Sequence, residues 1–85
     1  MDKKRIIELR GKAQTLKSTV HVGKDGITAT VVEEIDRQLK KTKLVKVKLL
    51  PALELDRKEA AAELARACSA TLVEVRGRTV VLASE

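Results

Sequence analysis

No phenylalanine, tyrosine or tryptophan occurs in this chain, so any core it forms is packed from Val, Leu, Ile and Ala. Aromatic side chains ordinarily bury the largest areas in a small domain. A chain of 85 residues buries only about 60% of its unfolded surface. There is room for one domain, residues 1–85, whose stability is modest unless the packing is efficient. The same absence removes the platforms on which RRM and OB-fold proteins stack bases, which argues against both of those mechanisms.

The formal net charge is +6, and it is unevenly placed. Residues 1–48 hold 13 Lys/Arg against 6 Asp/Glu, whereas residues 49–85 hold 5 against 6. A lopsided basic half is the footprint of a polyanion binder, nucleic acid first; a solvated lysine-rich surface is the plainer alternative. One cysteine cannot form an internal disulfide, which fits a reducing compartment. No apolar run approaches the ~20 residues of a membrane span, and the polar N-terminus carries no signal-peptide core. The expectation is a soluble, cytoplasmic protein with no membrane partner.

Ile6, Leu9, Ala13 and Leu16 recur at helical spacing and predict an amphipathic helix over about 2–17. Arg5, Arg10, Lys12 and Lys17 lie on its other face, and Gly11 inside it costs helix propensity. Thr19–Val22 reads as a short strand. A second helix is predicted over about 28–42, with Val31, Ile35 and Leu39 as its stripe and Lys40-Lys41 near its C-terminus. Leu44–Leu50 alternates Val45, Val47 and Leu49 with Lys46 and Lys48, the pattern of a half-buried strand with one basic face. Pro51 ends it. The segment from Leu50 to Leu55 is unusually apolar and reads as a core cap, with a partner contact as the alternative. Asp56-Arg57-Lys58-Glu59 opens a third helix to about Cys68, whose alanines permit close approach to a sheet. Thr71–Val75 and Arg78–Ala83 are two strands joined by a tight turn at Arg76-Gly77. The order α-β-α-β-α-β-β implies an α/β fold: a mixed four-stranded sheet with helices packed on it, at least one parallel pair, and an antiparallel terminal hairpin.

The run Val22-Gly23-Lys24-Asp25-Gly26-Ile27-Thr28 carries the functional signal. Two glycines bracket a lysine between a strand and a helix start, and Thr28 is a good N-cap. A helix N-terminus presents free N–H groups and partial positive charge, which suits a phosphate, and Lys24 adds a full charge. A strand–GxxG–helix unit clamps single-stranded backbone in KH modules. The plainer reading is a turn that only joins strand to helix. Arg10, Lys12 and Lys17 are expected to flank the loop, and Lys46 and Lys48 to extend a basic track on the sheet.

Catalytic and metal chemistry have little support. His21 is alone, with no paired nucleophile or carboxylate motif nearby, and reads as a solvent-facing strand residue. Cys68 lies on the alanine stripe and reads as a small core residue. One Cys and one His cannot make a structural zinc site by themselves. The expectation is no enzyme, no cofactor and no small-molecule substrate.

Several segments together resemble a known family. Leu9-Arg10-x-x-Ala13-x-x-Leu16, then Val20-x-Val22-Gly23-Lys24-x-Gly26-Ile27-Thr28, look like the start of the CRM domain (chloroplast RNA splicing and ribosome maturation). Leu44-Val45-Lys46-Val47-Lys48 resembles its next signature, and Val75-x-Gly77-Arg78-Thr79-Val80-Val81-Leu82 its closing hairpin. The resemblance implies a fold like the C-terminal domain of translation initiation factor 3. It also implies RNA binding, with free-standing YhbY-like members associated with precursors of the large ribosomal subunit. Three departures stand out. Ser18 replaces a frequent proline, and Asp25 an asparagine-like residue, which weakens phosphate binding unless Asp25 caps the turn or helix. Ala83 replaces a frequent tyrosine, and the chain stops at Ser84-Glu85 without the basic tail of many members.

The reading is a non-catalytic RNA-binding protein acting on ribosomal RNA or pre-ribosomal particles. Its site residues are Gly23, Lys24, Asp25, Gly26, Thr28, Arg10, Lys12, Lys17, Lys46 and Lys48. The alternatives are a small chromatin-like protein that coats duplex DNA, and a protein-interaction module docked through Leu50–Leu55.

Overall fold

Alternation along Leu44–Leu49 builds the strand on which the molecule is organised. In the computed structural model, which describes residues 2–84, Val45, Val47 and Leu49 are buried on one face of this strand. Its two lysines belong to the opposite face. The elements are α1 (Lys3–Ala13), β1 (Val20–Val22), α2 (Ala29–Thr42), β2 (Leu44–Leu49), α3 (Arg57–Ala67), β3 (Thr71–Arg76) and β4 (Thr79–Ala83). The sheet order is β1-β2-β4-β3. β1 and β2 are parallel through the α2 crossover, with Val20 opposite Val47 and Val22 opposite Leu49. β4 inserts antiparallel between β2 and β3. The expected mixed sheet is present. The Ser84-Glu85 ending involves Glu85, which lies outside the described residues.

The core is aliphatic and lies on both faces of the sheet. On one face, Ile35 and Leu39 of α2 and Ala60, Ala61 and Leu64 of α3 pack on Val20, Val22, Val45, Val47, Leu49, Val80 and Leu82. On the other, Leu9 and Ala13 of α1 meet Val73, Val81 and Ala83. Among the described residues, no polar or charged side chain is buried. Cys68 belongs to the first cluster, and burial pushes its thiol pKa up, with the Asp36 carboxylate adding to the effect.

Helix α1 ends at Ala13, short of the predicted 17. Thr15, Ser18 and Thr19 favour turns over helix. Lys46 also intervenes: its Nζ donates to the carbonyls of Ala13 and Leu16, at 3.2 Å each. A cation at the last carbonyls suits the negative end of the helix dipole. The chain then turns into β1, where Thr19 N–H donates to the Lys46 carbonyl.

β3 carries a bulge. Leu72 pairs with Leu82 and Glu74 with Val81, so Val73 is the extra residue. The extra residue turns Val73 into the α1 cluster. The carbonyl of Val73 accepts from Arg10 Nε at 3.2 Å. The β3–β4 turn falls at Gly77-Arg78, one residue later than predicted, because Arg76 pairs with Thr79 and Gly77 takes φ 59. That shift places Arg76 within the sheet.

The apolar Leu50–Leu55 segment caps the core through Leu53, while Leu50 is half-buried and Leu55 stays exposed. Leu50 N–H donates to the Val22 carbonyl at 2.8 Å. Arg78 fixes the start of this segment, donating from Nε to Leu49 O and from Nη2 to Leu50 O. Leu50 then lies against Gly23 so closely that a Cβ there would meet Leu50 Cδ1 at 3.2 Å. Gly23→Ala should therefore lower stability by about 1 kcal/mol through overpacking. In a Leu50→Ala background, which opens the space, the same substitution should become neutral or mildly stabilising. Urea unfolding of the four proteins in this cycle checks the reversal of sign.

Candidate nucleic-acid interface

Gly23–Gly26 forms a closed turn, in which Gly26 N–H donates to the Gly23 carbonyl at 2.9 Å. Gly26 takes φ 73, and a Cβ there would meet nothing, so backbone conformation rather than space calls for glycine. The two glycines thus serve different ends: Gly23 admits Leu50, and Gly26 closes the turn. Lys24 and Asp25 occupy the exposed corners. Thr28 caps α2 as expected, its Oγ1 accepting from Val31 N–H at 3.2 Å. Asp25 makes no hydrogen bond among the described residues, so it does not cap the helix. The N–H groups of Ala29 and Thr30 likewise have no protein partner there, and both residues are exposed at the start of α2.

Beside this turn, the α1 face of the sheet is open. The register aligns His21 with Lys48, Lys48 with Thr79, and Thr79 with Arg76, one row across all four strands. Val81, one pair further along β4, belongs to the α1 cluster, so this row shares its face but lies beyond the helix. His21, Lys48 and Arg76 are exposed. The row ends on β1 two residues before Gly23, so it lies at the same end of the sheet as the turn.

The other predicted cations lie elsewhere. Arg10, Lys12 and Lys17 do not flank the turn. β1 carries the chain away from α1 along the sheet, so α1 meets β2 at Lys46 while the turn lies beyond Leu49. Arg10 is bound to the β3 bulge. Lys12 and Lys17 line a separate groove with Gln38 and Thr42 of α2. Lys46 shares the sheet face with Lys48 as predicted, but its ammonium holds the end of α1. The face is thus only half open.

Arg76 and His21 were not assigned to the site from the sequence. The strand alternation held the signal for His21. Arg76 required the hairpin register, which a one-residue error in the turn conceals. No group of three His, Cys, Asp or Glu residues that could hold a metal ion occurs among the described residues.

The sequence model of the CRS1 / YhbY (CRM) domain matches residues 1–83. The chain is 46% identical over 76 residues to the Probable RNA-binding protein MJ0652 of Methanocaldococcus jannaschii, covering 87% of this chain and 56% of that protein. It is 34% identical over 77 residues to the Probable RNA-binding protein YqeI of Bacillus subtilis, covering 91% of this chain and 80% of that protein. The solution structure of SAV1595 from Staphylococcus aureus matches with a TM-score of 0.85 at 32% identity, over 100% of this chain and 88% of that one. This chain belongs to the CRM family. It spans little more than half the length of its archaeal relative.

The position of Lys46 gives a direct check on its structural role. Lys46→Met keeps the aliphatic stem and removes both hydrogen bonds to the end of α1. It should cost about 1 kcal/mol of stability and speed amide exchange in α1 more than in α2. Hydrogen exchange followed by NMR reads both helices in one experiment.

Proposed function

We propose that this protein is a non-catalytic RNA-binding module that acts on ribosomal RNA during large-subunit maturation, in the cytoplasm. The observation that carries the reading is that exposed Lys24, His21, Lys48 and Arg76 lie at the same end of the sheet as the unpartnered N–H groups that begin α2. Phosphates accept from such N–H groups and from cations, and these contacts hold a backbone without reading its sequence. The turn takes one phosphate, the sheet row holds the neighbouring backbone, and RNA shape supplies the selectivity. The names of the two relatives agree with RNA as the ligand. The ribosomal target is the part of the proposal that rests on the resemblance to the CRM family alone, and sequencing of RNA crosslinked to the protein in cells tests it.

RNA and duplex DNA competed at fixed salt provide the first test, and preferential displacement by duplex DNA would overturn the reading. Lys24→Ala should weaken binding to many RNA sequences alike and reduce the salt slope by about one contact. Arg76→Ala should do the same if the sheet row holds the backbone. Filter binding at four salt concentrations separates either effect from a loss of fold, which circular dichroism monitors.

Asp25 makes a second prediction. Its carboxylate sits at the exposed tip and caps nothing, so at this site it acts chiefly as a charge that opposes phosphate. Asp25→Asn should leave stability unchanged and tighten RNA binding at low salt, by at most about 1 kcal/mol, with the gain fading as salt rises. Weaker binding at unchanged stability would instead make the acid a direct RNA contact.

A further inference from the structure

The end of the sheet opposite the glycine turn contains a groove of about 410 Å³ between α1, the C-terminal end of α2, and the start of β2. Leu9, Leu16 and Leu44 form its apolar floor, and Leu16 remains 39% exposed there. Arg5, Lys12, Lys17 and Lys43 supply its cations. Arg5 is partly answered by Glu8 at 3.4 Å, whereas Lys12, Lys17 and Lys43 have no ion-pair partner among the described residues. Thr19 and Gln38, hydrogen-bonded to each other, present a hydroxyl and an amide on the wall.

Lys43 is a second, independent observation. It ends α2 at φ 68, a region that disfavours a side chain and usually takes glycine or asparagine. Its backbone is held there by its own N–H on the Leu39 carbonyl, and by Ser84 N–H on the Lys43 carbonyl. Lysine at this position adds strain to the fold and brings an ammonium group to the groove. Backbone strain of this kind clusters at functional positions.

We infer that this groove binds one unstacked nucleotide of a single-stranded RNA, a second contact that rests on the RNA-binding reading above. The base lies on the leucine floor with its edge toward Thr19 and Gln38, and the flanking phosphates meet Lys12, Lys17 and Lys43. The volume suits a ligand of nucleotide size, and an apolar floor with a cationic rim matches a base set between phosphates. The 14 residues of α2 separate the groove from the glycine turn by about 20 Å. Edge strand β1 lies between them, so an RNA strand held at both ends runs along it.

The test uses the full chain and a fluorescently labelled single-stranded RNA of about twelve nucleotides, with anisotropy measured across a salt series. Lys43→Gly should keep or raise the melting temperature, since glycine suits φ 68. The same variant should weaken RNA binding by about three- to tenfold and lower the salt slope by about 0.7. Leu16→Glu, at an exposed position, should weaken binding further. Amide signals of Thr19, Gln38 and Lys43 should shift when unlabelled RNA is added. If Lys43→Gly leaves affinity and slope unchanged while Lys24→Ala weakens binding, the groove inference fails and the turn remains. A wild-type protein that does not bind the RNA removes both. If poly-glutamate peptide shifts the groove amides and RNA does not, the groove takes an acidic protein and the inference is overturned.

Discussion

Close packing of small aliphatic side chains around β2 is the constraint on which the structure rests. Without aromatic rings, a core of this size gains burial only by bringing backbones near one another. Ala60 and Ala61 let α3 settle onto the sheet, and Gly23 lets Leu50 close the end of β1. The segment after β2 is therefore tied to the turn that begins α2. Arg78 secures that tie by taking the carbonyls of Leu49 and Leu50. The proposed phosphate turn inherits its shape from core packing.

The basic charge divides into two populations. Arg10, Lys46 and Arg78 spend their donors on backbone carbonyls at a bulge, a helix end and a strand end. Lys24, Lys48, Arg76, Lys12, Lys17 and Lys43 carry no such bond among the described residues and remain free for an anionic ligand. Net charge and a count of basic residues do not separate these populations.

Much of the fold was legible in the sequence because periodicity and caps spoke together. Thr28 and Asp56 cap α2 and α3 where their side-chain chemistry places them, and Val45, Val47 and Leu49 alternate into the core. The glycine turn was legible for the same local reasons. What was hidden depended on register and on contacts between distant segments. The β3 bulge redirects Val73, and nothing local marks it. The length of α1 is set partly by a lysine more than thirty residues away. Arg10, Lys12 and Lys17 precede the turn closely in sequence, which places them beside it on sequence grounds, but β1 carries the chain to the far end of the sheet before the turn forms.

The bulge in β3 has a consequence for how copies of this protein meet. A sheet edge with a straight row of free N–H and C=O groups is a template for another strand. Here one edge is β1, only three residues long, and the other is β3, interrupted at Val73 with its freed carbonyl held by Arg10. A second chain finds no continuous ladder to join on either side. The protein can thus leave half of one sheet face uncovered for a ligand without inviting edge-to-edge growth.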